Sequence, residues 1–172
     1  FPRFHRALRD YNEANPEDPM WVLHGVWLSE NNPSGTEDLL GLTEDFTGLI
    51  EEAIDAAHGR RSIEQRFGRA WGEYEVDISP WVMGYIVGRE IHGTEVVTTD
   101  EAHPELRSFR GNRLSLAEGN PSSIWATQML DHALDYEASH YGDRRPMAFA
   151  NWMETDPLTH PTEPSWTRKD IG

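Results

Sequence analysis

Three places in this chain set ionisable side chains beside aromatic and amide groups, and each follows an apolar run of strand length. Glu90 stands just past PWVMGYIVG (80–88), with Arg89 between. A carboxyl at the end of a buried parallel strand lies at the mouth of the sheet, where a general acid/base works. Trp81 and Tyr85 offer it an apolar wall. The structural alternative is an Arg89–Glu90 ion pair that tethers a loop.

The run MWVLHGVWL (20–28) leads into Ser29, Glu30, Asn31 and Asn32. An indole such as Trp27 can stack on a sugar ring, while Glu30 and Asn31 take its hydroxyls. Turn chemistry explains the same Ser and Asn residues. The third place is PMAFANW (146–152), which ends in Asn151 and Trp152 and is followed by Glu154, Asp156, His160 and Glu163. Asp156, His160 and Glu163 have metal-ligating side chains at helical spacing, but Pro157 and Pro161 break a helix there. No metal or cofactor is therefore expected, and the segment reads as a Pro-braced wall of a pocket.

These residues need a scaffold. Helical spacing runs over 3–14 and 39–57, with Thr36, Glu37 and Asp38 as caps, and over 121–141 between Pro121 and Gly142. A weaker helical stretch covers 61–71. The runs 20–28, 80–88 and 146–152 read as strands covered on both faces. Residues 91–120 read as loop with a short strand at 94–99, and 153–172 as loop. Buried strands alternating with helices predict βαβ units and a parallel sheet, hence an α/β fold.

Composition narrows the function. The 172 residues suit one domain, but an eight-stranded α/β barrel takes roughly 200 at the least. Thirty acidic against 15 basic residues give a net charge of −15, which repels nucleic acid and anionic lipid. No apolar run has membrane-spanning length. Cysteine is absent, so disulfides and thiolate chemistry are excluded. There is no Gly-rich phosphate loop and no Gly-x-Ser-x-Gly elbow. His24 reads as a core residue and His58, His132 and His140 as helix surface, whereas His92 and His103 lie within reach of Glu90. A start at Phe1 reads as a processed form or an excised piece.

Together, GEYEVDISPWVMGYIVGREI (72–91) and RPMAFANWMETDPLTHPTEP (145–164) resemble a group of glycoside-hydrolase-like TIM-barrel proteins, similar to retaining glycosidases of the family 2 and clan A type. The most specific part is NWxxTDPLxHPxEP at 151–164. The resemblance implies that residues 1–172 are a single domain forming a central segment of a (β/α)8 barrel, completed by the rest of the barrel or a second chain. It makes Glu90 the acid/base at the fourth strand's end. Carbohydrate would be held by Trp27, Glu30, Asn31, Tyr85, Arg89, Asn151, Trp152, Asp156 and His160.

Two positions depart from that pattern. Arg89 stands where the clan carries Asn, and no strand supplies the clan's nucleophilic Glu. Retaining hydrolysis needs two carboxyls about 5–5.5 Å apart, and only Glu30 and Asp156 offer themselves beside Glu90. A barrel that binds carbohydrate without cleaving it is the alternative.

Overall fold

A computed structural model describes residues 1–29 and 37–150. The first helix, α1 (Pro2–Ala14), starts on a proline at its first position and buries His5 and Asn12. Asn12 fastens it to the first strand: its amide donates to the Met20 carbonyl at 2.9 Å and accepts the Met20 N–H at 2.7 Å. Strand β1 (Val22–Trp27) follows. A 3₁₀ turn (Leu39–Leu42), capped by Asp38 at the Leu40 N–H, leads into α2 (Thr43–Ala57).

Residues 61–71 are not helical. Strands β2 (Arg61–Ile63) and β3 (Gly72–Tyr74) form an antiparallel hairpin. Gly68 and Gly72 take φ of 71° and 126°, values at which a helix cannot continue. Arg66 in the connecting loop is held instead by Glu52 of α2. Strand β4 (Val82–Gly88) comes next, and then α3 (Gly93–Ala102), where loop and strand were expected. The β-branched run Thr94, Val96, Val97, Thr98 and Thr99 gives a strand signal. Tertiary packing overrides it, because Glu95, Val96 and Thr99 are all buried. A second small hairpin, β5 (Phe109–Arg110) and β6 (Ser115–Leu116), precedes α4 (Pro121–Tyr141). Asn120 caps α4, and Gly142 ends it at φ 75°. Strand β7 (Met147–Ala150) is last.

The main sheet has the order β1-β4-β7, and both pairings are parallel. The fold is therefore α/β and built of βαβ-type units, as the alternation of elements implied. One face carries Val26, Val82, Tyr85 and Val87, packed against Phe46, Ile50 and Ile54 of α2 and Trp125, Met129 and Ala133 of α4. Phe46 and Trp125 stack with centroids 5.9 Å apart, and the Trp125 indole N–H donates to Thr43 Oγ1 at 3.1 Å.

The other face differs from expectation. Leu23, Met83 and Ile86 are exposed, with Leu23 at 55% and Met83 at 50%. The strand runs are apolar on both sides, yet among the described residues helices cover only one. No described helix is long and apolar enough to cross a membrane.

Candidate functional site at the strand ends

Parallel pairing brings the carboxyl ends of the three strands into one row, with Trp27, Gly88 and Ala150 in register. Trp27 is 66% exposed, and Glu90, two residues past the β4 position opposite it, is exposed too. These sequence-predicted residues therefore stand at the ends of adjacent strands. Glu30, Asn31, Asn151, Trp152, Asp156 and His160 lie outside the described residues.

Tyr85 and Arg89 face the helices. Tyr85 is 1% exposed, and its hydroxyl lies near Glu137 with no partner at hydrogen-bond geometry among the described residues. Burial, followed by the nearby Glu137 carboxylate, pushes that phenol far above its ordinary pKa. Arg89 is 2% exposed and pairs with Glu95 rather than Glu90. Strand alternation accounts for this: Tyr85, Val87 and Arg89 share one parity, and Val87 is wholly buried. Counting by twos from Val87 places Arg89 on the helix side. The partner six residues on was hidden by reading 91–120 as loop.

Helix α3 frames this end of the sheet. Glu95 Oε1 accepts from Arg89 Nη2 at 2.7 Å, while Oε2 accepts from Arg89 Nη1 and the His92 N–H, each at 2.9 Å. Thr99 Oγ1 accepts the Leu39 N–H at 2.9 Å. His103 Nε2 lies 2.7 Å from Asp38 Oδ2, and this hydrogen bond raises the imidazole pKa. Asp100 receives the Ser122 N–H at the start of α4.

A groove of about 560 Å³ runs beside β1 and is lined by His5, His24, Trp27, Glu52, Arg66 and Tyr74 among others. Burial, and then each other's proximity, lowers the His5 pKa to about 4; burial lowers that of His24 as well. Both rings are thus neutral at pH 7, and neither Nδ1 has a partner among the described residues.

At the opposite, amino end of the strands lies a polar cluster in which His58 and Glu137 are buried and Asp143 is partly exposed. His58, Glu137 and Asp143 have ligand atoms close enough to surround a metal ion. Arg145 already serves both carboxylates, pairing with Glu137 and lying 3.0 Å from Asp143, and it donates to the Val82 and Ser79 carbonyls. Burial pushes the Glu137 carboxyl up, but hydrogen bonds from His58 and Arg145 outweigh it and bring the pKa below the usual value. A guanidinium in the cation's place makes this an internal ion network. No family model, curated protein or solved structure matches this chain.

Proposed function

We propose that this chain is a sector of a parallel (β/α)8 barrel that acts on carbohydrate, with Glu90 as general acid/base. The observation that carries the reading is the pairing of an exposed carboxyl with an exposed indole at adjacent strand ends, Glu90 beside the row that holds Trp27. The winding of the sheet supports the barrel. Strand order follows chain order, β1-β4-β7, and α2 and α4 pack on the same face. A doubly wound sheet reverses its order and covers both faces. A sheet wound one way buries its second face by closing on itself.

In this reading Trp27 stacks on a sugar ring and protonated Glu90 stands at the glycosidic oxygen. The Glu90 proton passes to that oxygen as the bond to the anomeric carbon breaks, and the resulting carboxylate then takes a proton from the incoming water. The nucleophile comes from outside the described residues, with Glu30 and Asp156 as this chain's candidates. Asn31, Asn151, Trp152 and His160 fall to substrate binding through the resemblance.

One observation favours a binding protein without hydrolysis. Three described carboxylates that frame these strand ends are already engaged: Asp38 by His103, Glu95 by Arg89 and Asp100 by Asn120 and the Ser122 N–H. Digestion of a glycan panel, read by mass spectrometry, separates the two. A hydrolase cleaves unactivated glycans, and Glu90→Gln abolishes cleavage while leaving binding intact. Trp27→Ala weakens binding about tenfold, as the loss of one stacking platform should. Binding without cleavage by the parent selects the second reading. Neither binding nor cleavage removes the carbohydrate assignment.

A further inference from the structure

The turn that carries Glu90 is gripped by one buried carboxylate. Glu95, with no exposed surface, holds both Nη atoms of Arg89 and the His92 N–H. Arg89 Nη1 also donates to the Glu90 carbonyl at 3.2 Å. Residues on either side of Glu90, and its own main chain, are thereby tied to α3. The same helix catches the segment between β1 and α2, where Thr99 accepts the Leu39 N–H. One helix thus ties the turn after β4 to the 3₁₀ turn that opens α2.

Burying an ion pair is an inefficient route to stability, because desolvation offsets most of the attraction. What a bidentate guanidinium–carboxylate fork supplies is direction: it fixes the plane of the guanidinium and so the carbonyl that the guanidinium holds. Catalytic groups lose much of their effect when displaced by about an ångström. Glu90 is exposed, so no packing of its own side chain can provide that precision.

We propose that Glu95, acting through Arg89, is a positioning residue that holds Glu90 at a set place relative to α3, and that Thr99 ties α3 in turn to the segment that opens α2. The inference rests on the Glu90 reading above. It gives Arg89 the work of orienting its neighbour.

The test combines amide hydrogen exchange with kinetics on the whole chain. The variants are Glu95→Gln, the neutral double variant Arg89→Met/Glu95→Gln, and Thr99→Val. The double variant removes the charge problem that could unfold the first. Exchange at the amides of 90–92 should rise about tenfold or more in both Glu95 variants, with 84–87 of β4 unchanged. Thr99→Val should do the same at Leu39. On glycans that the parent cleaves, kcat should fall about tenfold with KM within about twofold. The fall should be smaller on 2,4-dinitrophenyl glycosides, whose leaving group needs no proton.

Unchanged protection at 90–92 in the double variant overturns the proposal. So does loosening spread evenly over β4 and α4, which marks a merely structural pair. If Glu90→Gln is silent on every glycan while 90–92 loosen as expected, the carbohydrate reading fails and the bracing of the turn stands.

Discussion

Two histidines give this protein opposite pH sensitivities. His5 is buried against His24 and Tyr74, with ring centroids 5.8 and 5.0 Å away, and its pKa falls to about 4. In the unfolded chain it titrates near 6.5, so between those values the unfolded state binds more protons. Its contribution is whole above about pH 6.5 and is lost as pH falls toward 4. The shift corresponds to on the order of 2 kcal/mol once partial screening is allowed for. His5→Gln should remove that much acid sensitivity, read as urea midpoints from pH 7 to 4. His103 runs the other way. The Asp38 hydrogen bond raises its pKa, so its contribution is whole below about 6.5 and is lost as pH rises through the folded value. Asp38→Asn should flatten the alkaline side of the same profile. Neither effect is legible in the sequence, because His5 meets His24 only after α1 folds back on β1. The His103–Asp38 contact likewise spans 65 positions.

At the scale of elements, patterning was a good guide where one face of an element packs on the core. The helices α1 and α4 and the strands β1, β4 and β7 lie within the stretches that periodicity marked, whereas α2 starts at Thr43, behind a 3₁₀ turn that takes the Asp38 cap, and α1 buries His5 and Asn12 rather than Phe4 and Tyr11. It failed where a side chain outranks the pattern. Helix α3 forms from β-branched residues because Glu95 satisfies the His92 N–H and Thr99 satisfies that of Leu39. The β2–β3 hairpin forms because glycines at positive φ interrupt a helical-looking stretch. Glycine acts differently within β4. A Cβ on Gly84 would lie 2.6 Å from the Pro146 carbonyl oxygen, which accepts the Tyr85 N–H at 3.0 Å. Backbone cannot yield there without parting β4 from β7. Gly84→Ala should therefore cost about 1–3 kcal/mol by urea unfolding, despite the better strand propensity of Ala. An unchanged midpoint would mean that β7 is not seated on β4 as described.

The whole molecule joins a strong acidic charge to a sheet that, among the described residues, helices cover on one side only. Charge keeps copies apart, and an apolar face that no described helix covers draws them together. Which force wins is decided by distance and screening. At about 0.15 M salt the Debye length is about 8 Å, so repulsion between whole chains is largely damped, whereas contact between apolar faces is not. The chain alone should therefore self-associate, with a weight-average sedimentation coefficient that rises with concentration, and more so as salt is added. Leu23 lies on the exposed side, so Leu23→Lys introduces a charge there without opening a core cavity. That variant should stay monomeric with its thermal unfolding nearly unchanged. The outcome also bears on the barrel. If the chain is a barrel sector as proposed, its second face should be hidden by association when the chain is studied alone. A parent chain that remains monomeric at every concentration and salt would show that this face tolerates water. The one-way winding of β1-β4-β7 would then no longer argue for closure into a barrel.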